Sequence, residues 1–308
     1  MEGDGGPDLA VSRGGGGLIS AVIVSFNTRE RLVACLAALE SRVSLPHEVV
    51  VVDNASGDGS VAAVRERFPR VAVIENARNV GFSQANNQGL RRVQGEYALI
   101  LNSDAEVTAG SVEALAAVLD ARDEVGIVGP RTRFPDGRIQ VSFGPMLTPR
   151  GEWRQRRLVR GVARAFPGVL REVEAMAARE REPAWVSGSC MLARRRALDS
   201  VGLFDEGFFL YEEDVDLCVR VARAGWRIVY TPAAEVVHHL GSSMAQAGVG
   251  LEYHRSHLRF YARHHGGALH LALRGALLAR GFATWLTARG PHARRSAADL
   301  VRLALRGE

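Results

Sequence analysis

The sequence of 308 residues contains no lysine, so arginine supplies all 39 of its strongly basic side chains. Arginine suits phosphates and anionic membranes, but genomic base composition also accounts for most of an all-arginine repertoire. The arginines are scattered and lack interleaved aromatic residues, which argues against nucleic-acid binding. Cysteine is scarce as well: Cys35, Cys190 and Cys218 lie far apart and show no CxxC spacing. This argues against a disulfide framework or a zinc site and indicates reduced core thiols in a cytosolic protein.

Long uninterrupted apolar runs are also missing. Residues 1–17 are rich in glycine and acidic at the start, which predicts a flexible leader and not a signal peptide. From Ala268 to Ala288 an apolar run is interrupted by Arg274 and Arg280, which makes it too polar for a membrane-spanning helix. Residues 251–308 are therefore expected to form a basic, amphipathic helical extension. It would lie on an anionic bilayer or pack against the main domain, and the pattern favours neither.

The sequence has enough apolar residues to form a large core, because 47% of its residues are hydrophobic. Apolar runs predict four strands in the first half, at residues 18–25, 48–52, 71–75 and 97–102. Helical patterns separate them, and this alternation predicts right-handed crossovers. The expected fold class is therefore α/β, a doubly wound and mostly parallel sheet over residues 18–250.

The second half of this domain, residues 130–250, is less regular. Further strands are expected at residues 125–129, 184–193 and 226–230, with a hairpin over residues 130–143 around Pro135-Asp136-Gly137. Residues 150–182 are dense in arginine, glutamate and alanine. They indicate a mobile helical insertion over the site or, as the plainer alternative, a solvated helix.

The segment from Tyr97 to Val107, Y-A-L-I-L-N-S-D-A-E-V, organises the chain. Its apolar run predicts a buried strand that ends in polar side chains, at the edge where parallel sheets bind ligands. A carboxylate there is costly unless it is solvated, paired or bound to a cation. Asp104 together with His238 would suit Mn²⁺ or Mg²⁺, and Glu106 is a second choice. Taken alone, His238 is more often a packed or surface histidine.

Polar residues also follow the neighbouring strands. Asp53 and Asn54 could hydrogen-bond a base or ribose, and Phe26 could stack on the base. Asn79 and Gly81 precede the next helix. Taken alone, Asp53 and Asn54 are better explained as turn formers, and Asn79 and Gly81 are equally weak indications of a site.

Four carboxylates crowd into the five residues from Glu212 to Asp216 at the start of a predicted helix, which is expected to turn Leu217, Val221 and Ala224 inward. Helix capping and the helix dipole explain two of them, whereas the repulsion among all four points to a cation or a catalytic task. Asp214 is the candidate general base.

Seven motifs occur in one order along residues 18–265: V-S-F-N, V-V-D-N-A-S-G-D-G-S, N-V-G-F-S-Q-A-N-N-Q-G, L-N-S-D-A-E-V, W-V-S-G-S-C-M-L-A-R-R, F-F-L-Y-E-E-D-V-D-L and V-V-H-H-L-G-S-S. The ordered set resembles family 2 glycosyltransferases of the rhamnosyltransferase-like branch. The resemblance implies a GT-A fold and an inverting, metal-dependent hexosyltransferase. It also implies that residues 18–129 form the nucleotide-sugar half and residues 130–250 the acceptor and catalytic half.

The resemblance also implies roles for individual residues. The donor side would comprise Phe26, Asn27, Asp53, Asn54, Asn79, Gly81, Asn86, Asn102 and Ser103. The metal would be held by Asp104 and His238, the catalytic acids would be Asp214 and Glu213, and the acceptor would face Trp185, Gly188 and Ser189. The family's DxD triplet falls on Asn102-Ser103-Asp104, so a clamp of two carboxylates is in doubt.

The implied reaction is one in-line displacement at the anomeric carbon of a nucleotide-diphospho-sugar, with dTDP-L-rhamnose as the favoured donor. The acceptor would be a polyprenyl-linked or polysaccharide hydroxyl in cell-envelope synthesis. The expected location is the cytoplasm, at the inner face of the plasma membrane if the extension binds lipid, and a homodimer remains open. The alternatives are a nucleotidyltransferase and a non-catalytic sugar-binding homologue. The first would be expected to have a glycine-rich basic loop where Ser25-Phe26-Asn27-Thr28 stands.

Overall fold

The computed structural model of the chain describes residues 17–240 and 250–307. Its strands are β1 (Ile19–Ser25), β2 (His47–Asp53), β3 (Ala72–Glu75), β4 (Tyr97–Asn102), β5 (Ala105–Val107), β6 (Val125–Arg133), β7 (Ile139–Gln140), β8 (Phe143–Gly144), β9 (Trp185–Val186), β10 (Cys190–Arg194) and β11 (Arg227–His238). Its helices are α1 (Arg29–Arg42), α2 (Ser60–Arg67), α3 (Phe82–Arg92), α4 (Ser111–Ala121), α5 (Pro149–Ala163), α6 (Pro167–Ala177), α7 (Arg195–Asp199), α8 (Glu213–Arg223), α9 (Gly250–His264), α10 (Gly267–Thr287) and α11 (Pro291–Arg306). Apart from Gly17, the predicted leader lies outside the described residues.

One large sheet runs in the order β3-β2-β1-β4-β10-β6-β11-β5, and β7 pairs with β6 outside this path. The strands β1 to β4 are parallel, and β11 is parallel to β6. The strand β10 is antiparallel to both β4 and β6, and β5 is antiparallel to β11. The predicted parallel, doubly wound arrangement is thus confirmed for the first half, and the whole sheet is mixed.

The strand β4 is apolar throughout because both faces of the sheet are covered. Its Ala98 and Ile100 belong to one core cluster, and its Tyr97, Leu99 and Leu101 belong to the other. Burial of a leucine or isoleucine side chain stabilises a fold by about 1.5–3 kcal/mol. A strand buried on both faces therefore reads as a continuous apolar run rather than an alternating one.

Two predicted strands of the second half have different bounds. The strand expected over residues 184–193 is broken into β9 and β10, because β9 pairs with β8 in a separate two-stranded sheet while β10 joins the main one. The last strand continues past residue 230 to His238, with a register shift between Thr231 and Glu235. This irregularity carries the ladder past Pro232, which has no N–H to donate. The hairpin around residues 135–137 is confirmed by the pairing of β6 with β7.

The arginine-rich segment forms two helices, α5 and α6, which bury Leu158, Val162, Val173 and Ala177 in the core. Beyond the sheet, α10 packs along α11, and a Cβ on Gly281 would meet Val301. In residues 17–240 and 250–307 no helix is long and apolar enough to cross a membrane.

The helix α8 ends earlier than the sequence prediction implies. The helix buries Leu217 and Val221 as expected, but it ends at Arg223 and leaves Ala224 exposed. The inward position predicted for Ala224 is therefore wrong, because Gly225 with its positive φ already begins the turn to β11.

Candidate active site

The carboxyl ends of β1, β2 and β4 meet at one edge of the sheet, where Ser25 pairs in register with Asp53 and Val24 pairs with Asn102. Because β10 runs the opposite way, its amino end, preceded by Gly188 and Ser189, reaches the same edge. A cleft opens there. Among the residues predicted for the site, it is lined by Phe26, Asn54, Asn79, Gly81, Asn102, Ser103, Asp104, Gly188, Ser189, Glu213, Asp214 and His238.

Four of the predicted residues do not line this cleft, namely Asn27, Asp53, Asn86 and Trp185. The side-chain oxygen of Asn27 accepts the Gly57 N–H and braces the loop after β2. Asn86 donates to the Phe82 carbonyl within α3. Trp185 is buried and donates its indole N–H to the Pro145 carbonyl, because β9 turns the ring toward β8.

Asp53 is nevertheless buried beside the cleft, with only 2% of its surface exposed. Its Oδ2 accepts the Ser56 N–H, and its Oδ1 has no hydrogen-bond partner in the protein. The neighbouring Asn54 is held on both sides: it donates to the Gly81 carbonyl and accepts from Asn76. A buried acceptor without a partner is costly, so Asp53 is suited to a ligand that donates a hydrogen bond.

Asp104 and His238 are brought together by the antiparallel pairing of β5 with β11. Both side chains are almost fully buried, and Asp104 Oδ1 lies 3.0 Å from His238 Nε2. The other ring nitrogen, Nδ1, lies 3.0 Å from Gln140 Oε1, so a proton on Nδ1 leaves the Nε2 lone pair facing Asp104. Asn102 also reaches His238 Nε2 with its amide nitrogen, at 3.3 Å. Residues 134 positions apart in sequence therefore share one polar spot in the cleft.

A second pair of the same kind lies beside the first. Glu106, the second choice for the metal, does not line the cleft, and its Oε1 lies 2.8 Å from His239 Nε2.

The first turn of α8 presents the carboxyl groups of Glu213, which is buried, and of Asp214, which is half-buried, to the cleft. Asp214 accepts two backbone N–H bonds, from Gly188 at 2.7 Å and from Val215 at 2.8 Å. Burial raises the pKa of Asp214, and these two donors oppose that shift. Burial and the charge of Asp214 raise the pKa of Glu213 well above its ordinary value, and Glu213 Oε2 has no partner. Of the two, Asp214 is therefore the group better equipped to be ionised, and burial favours the protonated form of Glu213.

Several residues of the cleft were not anticipated from the sequence. Gln140 lies in the predicted hairpin, and nothing in its local sequence indicates that it orients His238. Phe209, Leu210 and Tyr211 line the cleft, but they were noted only as part of the F-F-L-Y-E-E-D-V-D-L motif and were given no role. Glu212 was noted only as one of the four clustered carboxylates, and it also lines the cleft.

Comparison with known proteins identifies the kind of molecule that carries this site. The model of the family described as "Glycosyl transferase family 2" matches residues 20–202. The N-acetylglucosaminyl-diphospho-decaprenol L-rhamnosyltransferase of Mycobacterium tuberculosis is 32% identical over 290 residues, which cover 85% of this chain and 91% of that protein.

Solved structures share the fold at lower identity. GalNAc-T7 with UDP, GalNAc and Mn²⁺ is 17% identical with a TM-score of 0.58, and the match covers 80% of this chain and 48% of that one. The mannosyltransferase PcManGT of Pyrobaculum calidifontis, in complex with GDP-Man and Mn²⁺, is 20% identical with a TM-score of 0.53; that match covers 100% of this chain and 77% of the other. The nucleotidyltransferase and non-catalytic alternatives are therefore set aside. This chain belongs to glycosyl transferase family 2, and it is a hexosyltransferase with the GT-A fold, similar in sequence to a rhamnosyltransferase.

Proposed function

We propose that this protein transfers an L-rhamnosyl group from dTDP-L-rhamnose to a hydroxyl of a polyprenyl-diphosphate-linked glycan during cell-envelope synthesis. The observation that carries the proposal is the single cleft that contains both the Asp104 and His238 pair and Asp214. Similarity to the mycobacterial L-rhamnosyltransferase, over nearly the whole of both chains, supports the choice of sugar and of acceptor class.

The donor set at Asp104 and His238 fits a divalent metal. Asp104 Oδ1 is a hard oxygen, and His238 Nε2, 3.0 Å from it, is an imidazole nitrogen that such an ion accepts. Asn102 Oδ1 is buried without a partner and would offer a third ligand atom. In the described parts of the chain no group of three or more histidine, cysteine or carboxylate residues is arranged to hold a metal ion. An ion at Asp104 and His238 would take its remaining ligands from a diphosphate and water.

When bound, Mn²⁺ or Mg²⁺ would neutralise charge on the leaving diphosphate. The protein's own donor-side groups have separate tasks. Asp53 Oδ1 would accept a hydrogen bond from the base or ribose, which agrees with its lack of any other partner. Phe26 would stack on the base, and Asn54 and Gly81 would shape the wall beside it.

Asp214 would act as the general base. Its ionised form is held by the Gly188 and Val215 N–H groups, and it would take the proton from the acceptor hydroxyl as that oxygen attacks the anomeric carbon. One displacement of this kind inverts the anomeric configuration. Glu213, which stays protonated, would limit the negative charge next to the base.

The membrane-facing element would be α10. Leu271, Phe282, Trp285 and Leu286 are 47–74% exposed, and a spacing of 100° per residue places them on one helical face. Residues 251–308 carry ten arginines against three acidic residues, which complements an anionic bilayer. The proposed setting is therefore the cytoplasmic face of the plasma membrane, where a polyprenyl-linked acceptor is embedded.

The test combines binding with turnover. The melting temperature would be measured with dTDP, UDP and GDP, each with Mn²⁺ and with EDTA, and dTDP with Mn²⁺ is expected to give the largest increase. Transfer would then be followed with dTDP-L-rhamnose and a lipid-linked N-acetylglucosamine acceptor, with the anomeric configuration of the product read by NMR. A shift with UDP or GDP alone would overturn the donor, a retained configuration would overturn the displacement, and full activity in EDTA would overturn the metal.

A further inference from the structure

The two residues that precede α8, the helix that carries Asp214, have strained backbones. Tyr211 has φ 73° and Glu212 has φ 64°, the left-handed region that residues other than glycine rarely adopt. Such a conformation costs about 1–3 kcal/mol per residue and persists only where the surroundings impose it. The next residues in the chain are Glu213 and Asp214, so this turn sets the position from which Asp214 enters the cleft.

Three side chains of α9 hold this turn, one for each of three consecutive residues. Ser256 Oγ donates to the Leu210 carbonyl at 2.8 Å. The Tyr253 ring packs edge to face against the Tyr211 ring, with centroids 5.7 Å apart. His257 Nδ1 lies 2.6 Å from Glu212 Oε1. The helix α9 lies outside residues 20–202, which match the family model, yet its side chains contact the turn that precedes Asp214.

His257 is placed between two carboxylates. Its Nε2 lies 3.2 Å from Glu152 Oε2, on α5, and only 2% of its side chain is exposed. Tyr261 donates its hydroxyl to the same Glu152. The titratable and charged groups around the ring are Glu152 and Arg156 of α5, Glu212, and Tyr253, His254 and Tyr261 of α9.

The charges favour an imidazolium at this position. Burial alone would lower the pKa of His257, but Glu152 and Glu212 outweigh it and raise the pKa to about 9. Burial likewise opposes ionisation of Glu152, but its ion pair with His257 and the hydroxyl of Tyr261 outweigh burial and lower its pKa. Removing the cation would leave two buried carboxylates facing each other, which is strongly unfavourable.

We propose that His257 is a positioning residue for the transfer reaction: bridging Glu152 and Glu212, it fixes the left-handed turn at Tyr211 and Glu212 and thereby aims Asp214. This inference rests on the proposed function of Asp214 as the base. It assigns the C-terminal helix α9 a role in catalysis that does not involve contact with either substrate.

The first test is His257→Gln in the full-length protein. A small displacement of a catalytic group can reduce the rate about 100-fold, so kcat is expected to fall by about 10- to 100-fold while KM for the nucleotide sugar changes little. A folded His257→Gln protein with the wild-type kcat would overturn the proposal.

The matched control is His264→Gln. His264 is equally buried in the same face of α9, and its Nε2 lies 2.7 Å from Asp216 Oδ1, so it docks α9 on α8 without touching the turn. The His264→Gln protein is expected to be less stable than wild type but to keep kcat within a few-fold of the wild-type value. An equal loss of kcat in both variants would mean that α9 acts only by docking, and the proposal would fail.

The pH dependence supplies a readout that docking alone would not change. The imidazolium is present at neutral pH and is lost as the pH rises through about 9, so wild-type kcat should show an alkaline decline there. Glu152→Gln, which removes one carboxylate outside the cleft, should move that decline to lower pH. This variant keeps His257 and so remains informative if His257→Gln does not fold. No movement with Glu152→Gln would refute the bridge.

A measurement without substrate separates this inference from the proposed function. Because the folded-state pKa of His257 lies above its ordinary 6.5, the bridge stabilises the fold fully below that pH and ceases to do so as the pH rises through about 9. The wild-type melting temperature should therefore drop over this range more than that of Glu152→Gln. That drop would persist if the protein used another donor sugar, and its absence would remove the bridge even if rhamnosyl transfer were demonstrated.

Discussion

Replacing Asp214 by asparagine isolates the base from the rest of the cleft. The substitution preserves size and removes the ability to accept a proton. General-base catalysis contributes about 10²- to 10⁴-fold, so kcat is expected to fall by that factor, which equals about 3–5 kcal/mol in the barrier. Binding of dTDP with Mn²⁺ should be unchanged, because Asp214 lies on α8 and the predicted nucleotide contacts lie at or beyond the carboxyl ends of β1 to β4.

The structure also predicts how stability should change. Both carboxylate oxygens of Asp214 accept a backbone N–H, from Gly188 and from Val215. An asparagine has one acceptor oxygen, so one of these N–H groups loses its partner at a cost of about 1–3 kcal/mol. The melting temperature should therefore fall by a few degrees while activity falls by orders of magnitude.

The matched control is Glu213→Gln, in the neighbouring buried acid. Since Glu213 holds its proton, glutamine mimics the group already present, and the loss of kcat should stay below about tenfold. Both enzymes would be assayed with dTDP-L-rhamnose by mass spectrometry of the glycolipid product, across pH. Wild-type activity should decline on acidification at a pH above the ordinary aspartate range, since burial raises the pKa of Asp214. A Glu213→Gln defect larger than that of Asp214→Asn would reverse the two roles and refute this reasoning.

Three further predictions concern the other parts of the molecule. Asp104→Asn should raise the Mn²⁺ concentration needed for half-maximal activity by more than about tenfold, because replacing a group that only supports a metal ligand already weakens metal affinity by about that factor. An unchanged Mn²⁺ requirement would exclude Asp104 as a ligand. Gly81→Ala should destabilise the fold by about 1–3 kcal/mol in urea unfolding, because φ is +88° and a Cβ would meet the Phe209 carbonyl at 2.6 Å. Gly57→Ala, where nothing lies within 4 Å, is its control, and equal losses would contradict this account. Leu286→Glu should weaken sedimentation with phosphatidylglycerol vesicles by about tenfold or more, whereas Ala276→Glu, on another face of α10, should not.

The sequence predicted the first half of the fold well because local and global signals agree there. Each apolar run before Asp53 or Asp104 is buried on both faces, and a polar turn marks its end. The second half is built from long-range pairings that leave little local trace. The strands β9 and β10 belong to different sheets, and a register shift carries β11 past Pro232. Both features depend on partners far away in the sequence.

The same distinction applies to the site. Residues in turn motifs, such as Asn54 and Gly188, could be predicted because their local sequence is distinctive. Gln140 and His257 could not, since their polar side-chain contacts are with residues 45 or more positions away in the sequence. Trp185 shows the converse, because a distinctive motif residue is turned away from the cleft by the short strand that carries it.

The pairing of β5 with β11 also sets an order of events during synthesis. Asp104 is made well before His238, so a growing chain can complete the nucleotide side of the sheet while the imidazole is still missing. If the proposed function is correct, such a nascent chain could not bind the metal and would not cleave the sugar donor. Transfer would begin only after the last strand has joined the sheet, so that only chains with a complete sheet consume the activated sugar.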